Sequence, residues 1–374
     1  MKNATYWETF FAMVMTLPIM GHEVMVPFLL QTAGRDAWLS VLVSLPIAIL
    51  IIHAIWRVKK QVETTPLQKW MKRQFGPLIS FPLVAVLGIY LFFLSCSSIA
   101  FFADFIHINF YPETPLISLI TFFSLGCLYA ILKGPNIILR TCIIIGIASL
   151  LTGSSVTFIS TPMKDFSHLL PILEYGIKPV FWGVWLVLSI WTELLFLLII
   201  PIKTENNVKF IRLWMINSGI QAFMMIMPVV GVIAMFGLGF AMSLTYPTEE
   251  ILRNIHLFII ERFDIYGLIL MTFGAYIRTV LYFQLGWELF FPIKETRKAV
   301  LTWNHLWMLL TFSAFAVVAW YLAKDHARIE QTITLYTLFG VLSLFPMLLW
   351  LMTWIKKKMM NFKQRTIHSP RDVR

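Results

Sequence analysis

Charged residues are scarce in this chain of 374 residues. They make up 13% of it, whereas apolar residue types make up 59%, and the mean hydropathy is +0.78. A soluble domain of this length needs far more charge to cover its surface, so the composition indicates an integral membrane protein. The first seven residues lead into an apolar run that is too long for a signal peptide, and no small-residue cleavage site follows, so no cleavable signal is expected.

Cysteines and catalytic motifs are few as well. The three cysteines, Cys96, Cys127 and Cys142, all fall within apolar runs, which argues against disulfides and against a thiolate metal site. The histidines show no metal-ligand spacing, and the sequence contains neither a nucleophile elbow nor a phosphate-binding loop. We therefore expect no enzyme activity, no cofactor and no bound metal.

The excess of basic residues predicts topology. With the apolar runs counted as spans from a cytoplasmic N-terminus, 22 of the 30 lysines and arginines fall on the inner side and seven on the outer side. Short loops with this asymmetry follow the positive-inside rule, so both termini are expected in the cytoplasm. The net charge of +11 is thus explained by the lipid bilayer, and no nucleic-acid partner is expected.

The apolar runs predict an all-α protein with ten transmembrane helices in a single domain, 1–374. About 20 apolar residues cross a hydrocarbon core. The predicted spans are 8–30, 37–56, 79–105, 116–132, 136–159, 177–200, 213–244, 265–291, 301–323 and 331–355. A basic cytoplasmic tail, 356–374, follows the last span, and we expect it to be disordered and to lie near the inner leaflet.

Two connecting segments have the pattern of amphipathic helices. Segment 65–77 begins with Thr65-Pro66, ends with Gly76-Pro77 and alternates apolar and basic faces, which predicts a short helix at the cytoplasmic surface. Segment 247–262 predicts an external helix. Its pattern leaves open whether this helix covers a vestibule or only lies at the interface.

Ionisable residues at membrane depth are the candidates for function, because burying them in hydrocarbon costs about 2.5–3.5 kcal/mol on insertion scales. Glu23 follows a proline and a glycine in the first span, a pattern that predicts a broken helix. The freed backbone N–H groups of Met20, Gly21 and His22 would favour an anionic group. The alternative is a simple proline kink.

Glu193 and Arg278 lie within the sixth and eighth spans. Ser189 is one turn before Glu193 on the same face. The glutamate either takes part in ligand binding or coupling, or is a structural residue held by hydrogen bonds. Arg278 needs a partner, for which Glu193 and Glu23 are the candidates, and it serves either a structural ion pair or a ligand contact. A further carboxylate, Glu288, is close enough to the cytoplasmic interface to reach water.

An interrupted first helix in a ten-span chain raises the possibility of a 5+5 inverted repeat, with 8–159 as the first half and 177–355 as the second. In that architecture the ligand binds at interrupted helices 1 and 6. The sixth span has no glycine or proline after Gly183 to signal a break.

Several sequence landmarks resemble those of the B subunits of spore germinant receptors, a branch of the amino acid–polyamine–organocation transporter superfamily. The resemblance extends over essentially the whole chain. Its landmarks are Gly21 and Pro27, Ala-Gly-Arg-Asp-Ala-Trp-Leu-Ser at 33–40, Pro66-Leu67, Phe75-Gly76, Trp191-Thr192-Glu193 with Pro201, and Ile-Glu-Arg-Phe-Asp at 260–264. His22-Glu23 departs from the small apolar residues that relatives tend to carry there, which affects the chemical type of ligand.

The resemblance implies a LeuT-like fold, a place in the spore inner membrane, and a receptor complex with an A subunit and a C-subunit lipoprotein. It also implies that a nutrient germinant, often an amino acid or a sugar, binds in a transporter-like pocket and triggers germination. On this hypothesis the carboxylate of an amino acid binds the N–H groups at Met20–His22, and its amine binds helix carbonyls or an acidic group, for which Glu193 is the leading candidate. Its side chain lies among spans three, six and eight, near Tyr90 and Arg278.

Two other functions remain open at the level of sequence. A proton- or sodium-coupled amino acid permease on the same fold would use Glu23 or Glu193 as the coupling group. A scaffold subunit would bind no ligand.

Overall fold

The computed structural model describes residues 3–16, 18–202, 208–255, 263–291 and 303–367. In these segments the chain is helical and contains no strand. The α-helices are α1 (Tyr6–Met15), α2 (Val26–Ala33), α3 (Ala37–Val62), α4 (Leu67–Asn109), α5 (Leu116–Lys133), α6 (Pro135–Ser160), α7 (Lys178–Thr192), α8 (Val208–Ala241), α9 (Pro247–Arg253), α10 (Asp264–Phe290), α11 (Trp303–Ala323), α12 (His326–Leu338) and α13 (Phe345–Ile367).

Nine helical stretches in the described part of the chain are long and apolar enough to cross a membrane. One of them, Val26–Val62, joins α2 to α3 through a turn at Gly34, whose φ is +58°. The backbone N–H of Ala4 donates to Pro201 at 2.8 Å, and the ammonium of Lys59 donates to the neighbouring carbonyl of Ile200. The start of α1 and the end of α3 therefore lie together, so α1 and α2 run opposite to α3. This hairpin supports ten spans, and that count stays a prediction.

The first helix is interrupted, as the sequence predicts. α1 ends at Met15, where the Thr16 hydroxyl donates to the Met13 carbonyl at 2.7 Å. A π-helical segment, Pro18–Val24, follows, and the Met25 N–H donates to the Met20 carbonyl at 3.0 Å. Such wide turns are frequent at functional sites.

The sixth helix also loses α-helical geometry, although no glycine or proline signals it. α7 gives way to a 3₁₀ segment, Glu193–Leu198. Opposite it, α12 gives way to a second 3₁₀ segment, Phe339–Leu344, before α13 begins. Gly340 allows a close approach here, because a Cβ on it would lie 3.5 Å from the backbone nitrogen of Ser189. The 3₁₀ segment Phe339–Leu344 thus packs against α7, just before α7 changes geometry.

The short helix predicted in segment 65–77 is confirmed, whereas its cytoplasmic side stays a prediction. α4 begins at Leu67, and Gly76, with φ +78°, separates residues 67–75 from the long span that follows. The helix predicted in segment 247–262 is observed as α9 over Pro247–Arg253, and residues 256–262 of that prediction lie outside the described residues. The expected disorder of the tail is wrong for its first part, because α13 continues to Ile367.

The core is built around α10, which packs along α4 and against the interrupted first helix. The Ser95 hydroxyl of α4 donates to the Thr279 carbonyl of α10 at 2.8 Å, and both residues are fully buried. These contacts bring the predicted polar residues of spans one, three, six and eight into one interior.

Candidate functional site

A buried ion pair joins the sixth and eighth spans. Nη2 of Arg278 on α10 lies 2.5 Å from Oε1 of Glu193, the first residue after α7. The arginine side chain is 0% exposed and the glutamate side chain 1%. Of the two partners that the sequence offered for Arg278, the structure therefore selects Glu193.

Two tyrosines complete the coordination of Glu193. The Tyr282 hydroxyl donates to Oε2 at 2.6 Å, and the Tyr336 hydroxyl of α12 donates to Oε1. The guanidinium of Arg278 also lies 5.7 and 5.9 Å from the centroids of the same two rings, within cation–π range. Both carboxylate oxygens of Glu193 are thus engaged, and the cluster connects the sixth, eighth and tenth spans, which are α7, α10 and α12–α13.

Free hydrogen-bond donors remain on the other side of this cluster. Nε and Nη1 of Arg278 and the hydroxyl of Tyr90 are buried without a hydrogen-bond partner among the described residues. Tyr90, on α4, interacts electrostatically with both Glu193 and Arg278, and its ring packs 5.2 Å from that of Phe339. A buried charged donor without a partner is energetically costly, and an anionic group could accept its hydrogen bonds.

Ser189 lies beside the cluster but contributes no free donor. Its hydroxyl donates to the Leu186 carbonyl of its own helix at 2.6 Å. The adjacent Thr192 hydroxyl donates to the Leu188 and Gly340 carbonyls, and the second of these bonds fixes α7 against the 3₁₀ segment Phe339–Leu344.

The four predicted residues of the first helix, Met20, Gly21, His22 and Glu23, form a second group in the π-helical segment. All four are buried. The carbonyl of His22 accepts a 2.6 Å hydrogen bond from the Thr248 hydroxyl of α9. His22 and Glu23 border a cavity of about 80 Å³. Their Nε2 and Oε2 atoms have no hydrogen-bond partner in the described segments.

Besides Tyr336, the sequence analysis missed three buried polar residues. The Lys59 ammonium is fully buried and donates to the carbonyls of Leu198 and Ile200, at 3.2 and 2.6 Å, where the sixth helix ends. Its position in a basic segment concealed this role. Asp104, near the end of α4, accepts from the Tyr246 hydroxyl at 2.5 Å and lies 2.8 Å from Nδ1 of His326. A carboxylate inside an apolar run was a signal that could have identified it.

The third missed residue is Glu249 of α9. The amphipathic pattern of segment 247–262 assigns this glutamate mainly to a polar face, yet it is fully buried. No sequence signal distinguishes it from Glu250, its neighbour, which pairs with Arg253 at 2.6 Å.

Comparison with known proteins gives the family. The model of the spore germination protein family matches residues 5–328. Spore germination protein XB of Bacillus anthracis is 30% identical over 266 residues, which cover 70% of this chain and 73% of that protein. Spore germination protein KB of Bacillus subtilis (strain 168) is 21% identical over 257 residues, 67% of this chain and 68% of that protein.

Solved structures give the fold. A manganese transporter of Eremococcus coleocola superimposes with a TM-score of 0.62 at 11% identity, over 90% of this chain and 76% of the transporter. A Na⁺-coupled sialic acid symporter superimposes with a TM-score of 0.58 at 10% identity, over 90% and 76%. At this identity the likeness concerns the fold alone, and it confirms the predicted LeuT-like architecture. The chain therefore belongs to the spore germination protein family and is a multi-pass membrane protein with a transporter-like fold.

Proposed function

We propose that this chain is the nutrient-sensing membrane subunit of a spore germinant receptor, and that its ligand is an amino acid. The observation that carries the proposal is the state of Arg278. This arginine is completely buried, held by Glu193, and still has two N–H-bearing nitrogens without a partner among the described residues. Membership of the spore germination family supplies the biological setting.

A ligand carboxylate would take up the free donors of Arg278 and the hydroxyl of Tyr90. Glu193 then acts as a positioning residue, because both of its oxygens are already engaged by Arg278, Tyr282 and Tyr336. Binding an amine at Glu193 instead, as the sequence suggested, would require one of these bonds to break. The N–H groups of Met20, Gly21 and His22 remain part of the proposed site as a second contact for the ligand.

The signal would be a shift between two states of the bundle. The cluster lies where α7 and α12 give way to 3₁₀ segments. A ligand that binds one arrangement of these segments more tightly shifts the population toward it, by as much as its difference in affinity allows. No transport of the ligand is required.

The receptor context belongs to the same proposal. We infer an A subunit and a lipoprotein C subunit as partners and the spore inner membrane as the location, with both termini on the cytoplasmic side. The excess of lysine and arginine in the inner segments supports this orientation.

A coupled amino acid permease is the second candidate. Both structural neighbours are transporters, and Glu23 keeps one carboxylate oxygen without a hydrogen-bond partner in the described part of the chain. Glu23, rather than the fully engaged Glu193, would then be the coupling group.

Germination of spores that carry single substitutions tests the sensing role. Tyr90→Phe removes only an unpartnered hydroxyl, and Arg278→Lys keeps the charge while removing the planar guanidinium. Both are expected to raise the nutrient concentration for half-maximal germination at least tenfold, with normal amounts of protein in the membrane. Arg140→Lys is the matched control, because that arginine side chain is 73% exposed. An unchanged nutrient response in both site variants would overturn the assignment.

A further inference from the structure

A second pair of carboxylates meets where α9 packs on the interrupted part of the first helix. Glu249 is 0% exposed, and neither of its carboxylate oxygens has a hydrogen-bond partner among the described residues. Glu23 is 3% exposed, and its carboxylate interacts with both the carboxylate and the backbone N–H of Glu249. Neither residue belongs to the Glu193–Arg278 cluster.

The surrounding backbone fixes this pair in place. The Thr248 hydroxyl of α9 donates to the His22 carbonyl at 2.6 Å, which attaches α9 to the π-helical segment. On the opposite side, a Cβ on Gly267 of α10 would lie 2.5 Å from Oε2 of Glu249. The glutamate carboxylate therefore lies directly against the α10 backbone, in space that only glycine leaves open.

Nearby positive charge does not neutralise the pair. Arg253 donates to Glu250 at 2.6 Å and to the Asn109 carbonyl at 2.8 Å. Lys164, which also lines the cavity and lies next to Gly231, forms no ion pair in the described segments. Burial raises the pKa of Glu249 to about 8, with Arg253 opposing the rise and Asp264 and Glu250 adding to it.

The adjoining cavity favours an organic cation over an alkali metal ion. The cavity of about 80 Å³ is bordered by Glu23 and His22, by apolar side chains such as Val156, Leu270 and Met271, and by Lys164 and the hydroxyl-bearing residues Thr152, Thr157, Ser160, Thr248 and Tyr266. A bare alkali ion would fill only a small part of this volume and would leave the apolar side chains without a partner. An alkylammonium would fill it, with its ammonium group at Glu23 and its alkyl part against the apolar side chains.

We propose that Glu23 and Glu249 bind the ammonium group of a small organic amine, whose apolar part occupies the cavity between α6, α8, α9 and α10. The bound amine bridges the interrupted first helix and the external helix and holds α9 in place. This site differs from the proposed germinant site in its charged residues and in the charge of its ligand, although the two meet at His22, which borders this cavity and whose backbone N–H belongs to the germinant site.

Binding of n-propylammonium chloride to the purified chain tests the proposal, with thermal shift and calorimetric titration as readouts. Sodium chloride at equal ionic strength and n-propanol are the matched probes for charge alone and for the apolar chain alone. Propylammonium is expected to stabilise the wild-type protein in a saturable manner. Glu249→Gln and Glu23→Gln should each weaken its binding at least tenfold. Glu250→Gln, one residue away and already paired with Arg253, should leave the affinity within twofold.

Several outcomes would overturn the proposal. An equal stabilisation by sodium chloride would assign the site to an alkali ion or to ionic strength, and an equal one by n-propanol would assign it to the apolar wall. Unchanged affinity in both glutamine variants, or the absence of saturable binding, would remove the carboxylate pair as an amine site. The two variants lie on different elements, so if one does not fold, the other decides the question. Because no step involves germination, failure here is distinct from failure of the proposed function.

Discussion

Removing the charge of Glu193 is the perturbation for which the structure makes the sharpest prediction. In Glu193→Gln the guanidinium of Arg278 stays fully buried and loses its only anionic partner among the described residues. Breaking a buried pair by removing one partner costs about 3–5 kcal/mol. We therefore expect the unfolding free energy to fall by about this amount, and Arg278→Gln to have a comparable cost.

The double substitution distinguishes the structural from the ligand-binding role of the pair. Replacing both charges leaves no unpaired ion, so the Glu193→Gln/Arg278→Gln protein should recover most of the stability that each single variant loses. It should nevertheless fail to respond to nutrient, because the guanidinium that would bind the ligand carboxylate is gone. Stability is measured by thermal unfolding of the purified variants in detergent or nanodiscs, and function by germination of spores that carry them.

Two results would refute this reasoning. Additive losses of stability in the double variant would mean that the two residues act independently and that the 2.5 Å contact contributes nothing. A normal nutrient response in the double variant would mean that the pair is a structural element only.

Three further predictions concern residues that surround the site. Lys59→Met removes the cation that caps the end of the sixth helix, and it should cost about 1.5–3 kcal/mol of unfolding free energy, whereas Lys60→Met, at an exposed position, should cost little. Gly183→Ala places a Cβ against the hydroxyl of Ser40 on α3, so it should destabilise the protein by about 1–3 kcal/mol in thermal unfolding, in contrast to Gly126→Ala, which meets nothing within 4 Å. The pKa of Glu249 rises from 4.5 to about 8 on folding, so the native state retains a proton that the unfolded chain has lost. The contribution of Glu249 to the free energy of unfolding should therefore fall by up to about 1.4 kcal/mol per pH unit as the pH rises from 4.5 to about 8, and level off above that.

The pH prediction has a matched pair of variants. Glu249→Gln should remove this part of the pH dependence of the unfolding free energy, while Glu250→Gln, in a partly buried ion pair, should retain most of it. A slope unchanged by Glu249→Gln would contradict the assignment. For the other two predictions, equal effects of Lys59→Met and Lys60→Met, or a Gly183→Ala protein as stable as Gly126→Ala, would contradict the observed packing.

Local chemistry explains which parts of the fold could be predicted from the sequence. Long apolar runs, the break at Pro18–Val24 and the Gly76-Pro77 stop all depend on neighbouring residues, and the structure confirms them within a few positions. The change of geometry at Glu193–Leu198 carries no such signal. There the chain is stabilised by Lys59 of α3, which is distant in sequence and donates to the Leu198 and Ile200 carbonyls.

The same distinction applies to the site. Glu193 and Arg278 were identifiable because a charge in an apolar run is conspicuous wherever its partner is. Tyr336 was not identifiable, since a tyrosine in an apolar helix is ordinary and only the packing of α12 brings its hydroxyl to Glu193. Glu249 was hidden for a different reason: its helix is amphipathic, and its burial depends on how α9 is seated against α10 and the first helix.

Binding and flux of radiolabelled L-amino acids, measured on the same proteoliposomes under a proton or sodium gradient, distinguish a nutrient sensor from a permease. For a sensor whose site includes Arg278, at least one amino acid is expected to bind saturably, Arg278→Lys to weaken this binding at least tenfold, and no label to accumulate inside. Gradient-driven accumulation would identify the chain as a permease. Binding that is insensitive to Arg278→Lys would contradict the proposed site.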